Sequence, residues 1–187
     1  MSKKLNPSIQ FEIRKTPSEN ISIRTITDFW QWGFSDLLQN ITRGILAEYL
    51  VAWAIGKDDL PRDPWKSYDL ENAKGKKIEV KSAADVQDRT YGNLPPKFVI
   101  KKTSKYYKNK GYEKEKKYQA DIYILAHLMG KDRNAINPLD TKHWEFWILT
   151  QEDIISLLKG KLSISVSQLK KVKAPVNFHD LDQINDI

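Results

Sequence analysis

The residues best placed to do chemistry in this sequence are Glu79 and Lys81, in Lys77-Ile78-Glu79-Val80-Lys81-Ser82, and Asp69, in Ser67-Tyr68-Asp69-Leu70 just upstream. Side chains alternate faces along a strand. Ile78 and Val80 therefore share one face and Glu79 and Lys81 the other. The apolar pair can enter a core while the charged pair looks into a cleft. Asn72-Ala73-Lys74-Gly75-Lys76 separates the two stretches and signals a hairpin. A hairpin centred on Lys74 puts Asp69 directly across from Glu79, so that two carboxylates and an ammonium converge. Magnesium takes oxygen ligands, usually one or two carboxylates with waters and substrate phosphate oxygens. Such an ion polarises a phosphoryl group and acidifies water. A lysine beside it can orient that water and stabilise charge in the transition state. The backbone carbonyl of Val80 is expected near the same ion.

The elements that must position these residues are legible in outline. From about Thr25 to Ile55 the apolar residues Phe34, Leu37, Leu38, Ile41, Ile45, Tyr49 and Ala52 recur at helical spacing, with a break expected at Asn40 or Gly44 and a C-cap at Gly56. Glu48 sits on that apolar stripe. A carboxylate there costs several kcal/mol if buried without a partner. It is either half of an ion pair, with Arg43 or another basic group, or a third acid facing the same site. Trp65–Glu71 and Lys77–Ala83 read as the strands of the hairpin. Phe98–Ile100 reads as a brief strand and Asp121–Leu128 as a central strand buried on both faces. Trp144–Leu149 reads as another strand, followed by a helix over Glu152–Leu158 that Thr150 caps with Asp153. Ser163–Ser167 alternates as a last strand does. Residues 1–20 read as irregular or edge structure. The order predicts an α/β (α+β) protein with a mixed sheet of about four to five strands flanked by helices.

This grouping resembles the PD-(D/E)XK nuclease superfamily, the restriction-endonuclease-like phosphodiesterases. Its motif is an acid at the end of one strand, then Glu-x-Lys or Asp-x-Lys in the next, often with a Glu on a preceding helix. Asp69 matches the first acid, Glu79 and Lys81 the Glu-x-Lys, and Glu48 the helix acid. The stretch Thr42-Arg43-Gly44-Ile45-Leu46-Ala47-Glu48-Tyr49-Leu50-Val51-Ala52, with Lys81-Ser82-Ala83-Ala84, is similar to small stand-alone bacterial members. The likeness runs from about Thr25 to Lys171. It implies a restriction-endonuclease-like core, Mg²⁺ (or Mn²⁺) held by Asp69, Glu79, Glu48 and the Val80 carbonyl, and hydrolysis of phosphodiester bonds in DNA, with RNA as the other substrate class. It departs in having Tyr68, not proline, before Asp69. Some relatives use a Gln near the substrate or metal where Gln87 stands; as a residue alone, Gln87 reads equally as a polar loop position.

Composition narrows the alternatives. The 187 residues carry a net charge of +7, and no Cys excludes disulfides, thiolate metal sites and a cysteine nucleophile. Between Lys97 and Gln119 there are nine Lys and two Glu, so this stretch holds the whole excess and the rest is neutral. Such a patch suits a polyanion. Lys97, Lys101, Lys102, Lys105, Lys108 and Lys110 are the expected nucleic-acid contacts, and Tyr106, Tyr107, Tyr112 and Tyr118 interleave with them as stacking surfaces. The alternative is a solvated loop, part of it disordered. The tryptophans read mostly as core or groove walls, and His127, in its apolar strand, as a satisfied core histidine. The longest apolar run, Tyr49 to Ile55, has seven residues, against about 20 for a membrane span. With no apolar leader, the chain is expected to be one cytoplasmic domain over residues 1–187, without a membrane partner, and with a homodimer as one assembly option. The competing reading of function is a nucleic-acid-binding protein on the same fold that does not cleave.

Overall fold

The computed structural model describes residues 10–13, 22–86, 95–104, 106–107, 109 and 111–187. In chain order its elements are β1 (Gln10–Ile13), β2 (Ser22–Thr25), α1 (Ile26–Phe34), α2 (Asn40–Ala54), β3 (Leu70–Glu71), β4 (Lys77–Ala84) and β5 (Lys97–Val99). Then follow β6 (Tyr106–Tyr107), β7 (Gly111–Tyr112), β8 (Ile122–Leu128), β9 (Trp144–Thr150), α3 (Gln151–Leu158), β10 (Ser163–Ser165) and α4 (Val166–Lys170). A 3-10 segment over Phe178–Asp186 ends the chain. The protein is mixed α/β. Its main sheet has the order β3-β4-β8-β9, with β4 and β8 parallel and the other pairs antiparallel.

The centre of this sheet is built as its composition demands. Every residue of β8 is buried, as befits a strand covered on both faces. On one face Ile78, Val80, Ile122, Ile124, Ala126 and Leu128 pack against Leu46, Ala47, Leu50 and Val51 of α2. On the other, Ala83, Tyr123, Leu125, Trp147 and Leu149 meet Ile154 and Leu158 of α3, Phe98 of β5 and Ile164 of β10. Each fully buried Ile or Leu contributes about 1.5–3 kcal/mol, more than an exposed ion pair returns. The sheet therefore holds the polar residues at its edge in place, and not the reverse. Among the described residues, the crossover from β4 to β8 carries no helix. It carries β5, which pairs with β10, and the small β6–β7 hairpin.

Several expected elements have different bounds. The first helical stretch is two helices, broken before Asn40; Gly44 lies inside α2. At the end of α2, Gly56 takes a left-handed conformation (φ 67°). Its amide donates to the carbonyl of Trp53, and that of Lys57 to Ala52, the paired bonds of a Schellman cap. The strand expected over Trp65–Glu71 is only Leu70–Glu71. The last strand stops at Ser165, where the chain turns into α4 under a Ser165–Gln168 capping box. Within the lysine-rich stretch the described residues form β6 and β7 and a bridge between Thr103 and Lys117. The core does not end near Lys171: Leu181 and Ile184 of the 3-10 segment are fully buried against α2 and the sheet. Of the tryptophans, Trp144 and Trp147 are core, but Trp30, Trp32, Trp53 and Trp65 are exposed. No helix among the described residues is long and apolar enough to cross a membrane.

Candidate functional site

The hairpin sets the site. Leu70 pairs with Ile78 and Glu71 with Lys77, a register centred on Lys74 that places Asp69 opposite Glu79. Asn72 fixes the turn: its side-chain oxygen accepts from the amides of Lys74 (3.0 Å) and Lys76 (2.9 Å), while its amide nitrogen donates to the carbonyl of Ile184 (2.8 Å). Gly75, at φ 78°, supplies the left-handed residue that closes it.

Strand β3 stops at Leu70, so the next amide on the edge of β4, that of Val80, has no strand to pair with. The Asp69 carboxylate accepts from it at 2.7 Å, standing where a neighbouring strand's carbonyl would. This is why the expected longer strand does not form. In a strand, the N–H and C=O of one residue face the same neighbour, so the Val80 carbonyl looks out on the same open edge as Asp69. Glu79 and Lys81 point away from the face covered by α2, and they pair with each other. Tyr123 is the register partner of Glu79 on β8.

Glu48 reaches this edge from the other face. It shares a helical stripe with Ile45, Tyr49 and Ala52, and the four line a cleft of about 540 Å³ together with Arg62 and Asp69. Of these four only Ala52 belongs to the buried face of α2; Ile45, Glu48 and Tyr49 flank it. Both Glu48 oxygens are held by Arg62, whose Nε and Nη2 donate to them, the latter at 2.9 Å. Arg43, the partner expected if Glu48 were structural, is engaged elsewhere. It donates to the Ser82 hydroxyl, the Leu38 carbonyl and the Asn40 side chain.

The electrostatics join these groups into one neighbourhood. Burial pushes the Asp69 carboxyl above its ordinary pKa, against the pull of the Val80 amide, Lys81 and Arg62. Burial also raises Glu79, and the charges of Asp69 and Glu48 add to the rise. Burial raises Glu48 too, with the Asp69 charge adding to the rise, against the pull of Arg62 and Lys81. Burial pushes the Tyr123 phenol up to about 12, with the Glu79 charge acting in the same direction. These acids are poorly stabilised as anions, which is what a cation can exploit.

Asp69, Glu79, Glu48 and the Val80 carbonyl fit a hard dication in kind, being oxygen donors without sulfur. Among the described residues, however, no three acidic or histidine side chains stand ready around one point. Glu79 is turned to Lys81 and Glu48 to Arg62.

Of the expected nucleic-acid contacts, Lys97, Lys101 and Lys102 are exposed. Gln87, Lys105, Lys108 and Lys110 lie outside the described residues. The two ends of the basic stretch lie on the sheet face to which Glu79 and Lys81 point, where Phe98, Ile100 and Ala120 pack beside Tyr123. The Lys102 ammonium stands 5.6 Å from the Tyr118 ring centre, and Tyr118 meets Tyr123 edge-on at 6.2 Å. Tyr106 and Tyr112 form an exposed edge-on pair at 5.1 Å. His127 is a core residue between two carboxylates, Nδ1 to Glu145 at 2.7 Å and Nε2 to Asp85 at 2.9 Å.

Sequence reasoning missed Arg62 and Tyr123. The need of Glu48 for a cation was legible, but Arg62 lies in Pro61-Arg62-Asp63-Pro64, a loop with no periodicity to aim it. Comparison with protein-family models finds no match, and comparison with curated proteins finds none either.

Proposed function

We propose that this protein is a Mg²⁺-dependent nuclease with a restriction-endonuclease-like core, hydrolysing phosphodiester bonds in DNA. The observation that carries the reading is the open edge of β4. There Asp69 sits on the Val80 amide, opposite the Glu79–Lys81 pair, which points to the sheet face where the ends of the basic stretch pack. Asp69, Glu79, Glu48 and the Val80 carbonyl are the groups that would hold Mg²⁺ or Mn²⁺, which supplies Lewis-acid polarisation of the phosphoryl group and acidification of water. Lys81 orients the attacking water and places a positive charge where the transition state gathers negative charge. Lys97, Lys101 and Lys102 hold the phosphate backbone.

Supercoiled, linear and single-stranded DNA incubated in parallel with and without Mg²⁺ or Mn²⁺ test the reading. Cleavage of at least one substrate, dependent on the metal and lost in Glu79→Ala, is the expected result. A second reading, a nucleic-acid-binding protein that does not cleave, is favoured by one observation: Glu79 and Glu48 are each already satisfied by a cation of the chain itself. DNA binding with no metal-dependent cleavage of any of the three substrates would select it.

A further inference from the structure

Among the described residues, Arg62 is the basic residue that grips the helix acid, and its setting is asymmetric. Glu48 is carried by α2 and its side chain is 14% exposed, whereas that of Arg62 is 42% exposed. The acid is fixed. The cation is held by its own stem, in a loop between two prolines, with an open path to solvent through the cleft that both line. A guanidinium does not deprotonate in proteins. It cannot make way for another cation by losing its charge; it can only leave. While it stays, both Glu48 oxygens are occupied, and a dication at the same carboxylate would face a like charge at contact distance. Asp69, lining the same cleft, is held by the Val80 amide and not by Arg62, so the departure of the guanidinium uncovers Glu48 while Asp69 stays in place. Glu48, Asp69 and Glu79 against Lys81 alone carry a formal −2, which a dication neutralises; with Arg62 still in place the formal charge is only −1, and a dication would overfill the site.

We propose that Arg62 is the internal counter-cation of this site: in the resting protein its guanidinium fills the place at Glu48 that a divalent ion takes, and the ion enters by displacing it. This rests on reading the acidic cluster as a cation site. Once displaced, the guanidinium stands free at the mouth of the cleft. An arginine that merely braced α2 against the loop would aid the metal-loaded and metal-free protein alike. An exchanged arginine opposes metal binding.

Calorimetric titration of Mn²⁺ into the full-length wild type, Arg62→Ala, Arg62→Lys and Glu48→Gln separates these. Arg62→Ala should bind Mn²⁺ on the order of tenfold tighter than wild type, ~1.4 kcal/mol. Arg62→Lys keeps the charge but loses the two-pronged grip, so it should fall between, and it carries the comparison if Arg62→Ala does not fold. Glu48→Gln should bind more weakly than wild type. Arg62→Ala should also melt lower than wild type without metal and recover that loss as Mn²⁺ is added. Wild-type affinity or weaker in both folded arginine variants overturns the exchange and leaves Arg62 a brace. No Mn²⁺ binding by any folded protein in the series overturns the cation site itself, and the exchange with it.

Discussion

Glu79 and Lys81 are held by one another and face Tyr123, so single substitutions here separate binding from chemistry. Lys81→Ala leaves Asp69 and Glu79 able to take a metal and removes one charge among many that attract DNA. Losing one preorganised charge of this kind costs about 10²–10³ in rate. Lys81→Ala should bind DNA within a few-fold of wild type, keep its Mg²⁺-induced rise in melting temperature, and cleave slower by that factor. Equal cleavage by a cleaving wild type and this variant would reduce Lys81 to a strand-face ion pair. The pH dependence of stability reads the same site without activity. Glu79 has its folded pKa raised by burial and then by Asp69. A raised carboxyl keeps its proton longer in the folded than in the unfolded state, so it costs stability as pH rises. That cost is absent below the ordinary Glu range, about 4.3, grows as pH climbs through it, and is complete above the raised folded value. Melting temperature of wild type relative to Glu79→Gln should therefore fall across this window as pH increases. A rise would mean that the Lys81 pair outweighs burial.

At the scale of elements, the hairpin between β3 and β4 is the device that brings Asp69 to Glu79. Its turn depends on Asn72, which is buried and makes the three side-chain bonds described above. Asn72→Ala leaves two turn amides and a buried carbonyl without that partner, at about 1–3 kcal/mol each where water cannot enter. It should destabilise by about 2–4 kcal/mol and, because the register relaxes, weaken the response of melting temperature to Mg²⁺. Thr150→Ala provides the contrast. It removes the capping box of α3, in which Thr150 and Asp153 satisfy each other's backbone amides, and should cost about 1 kcal/mol. Since α3 packs on β8, β9 and β10 and takes no part in the β3–β4 register, the Mg²⁺ response of this variant should match wild type. If both variants respond to metal as wild type does, the register is not what assembles the acids.

Over the whole molecule, charge is segregated. The net +7 resides in one stretch, whose ends, at Phe98, Ile100 and Ala120, pack on the sheet face that presents Glu79 and Lys81. Each phosphate contact adds about −0.9 to the slope of log K against log salt on duplex DNA. Replacing Lys97, Lys101 and Lys102 together by Ala should flatten that slope by up to about 2.7. All three side chains are exposed, so the melting temperature should fall by no more than a few degrees, as surface changes of this kind cost about 0.5 kcal/mol or less each. An unchanged slope would assign the patch to a different partner. The C-terminal segment matters at this scale too. Ile184→Ala opens a cavity beneath α2 and should cost about 2–5 kcal/mol, although Ile184 lies beyond the stretch of the chain that carries the recognisable motif.

The register of Asp69 against Glu79, the all-buried β8 and the capping box at Thr150 were legible in the sequence. Each follows from local chemistry, namely two-residue alternation, an Asn/Gly turn, and a side chain three residues from the amide it caps. The helix acid was legible as a problem, a charge on an apolar helix, but its answer was not. Arg43 is the nearer cation in the chain, yet α2 turns it to Ser82 and Leu38, and a loop returns Arg62 to Glu48. The shortness of β3 was likewise hidden, because it depends on the Asp69 side chain replacing a backbone partner at Val80. So was the burial of Leu181 and Ile184, which stand with Phe178 and Ile187 as isolated apolar residues in an otherwise polar tail. Alternation and turn chemistry act between neighbours in the chain and are written in their order. The partner of a buried charge is chosen by whichever cation the folded chain brings within reach, and only the tertiary structure decides that.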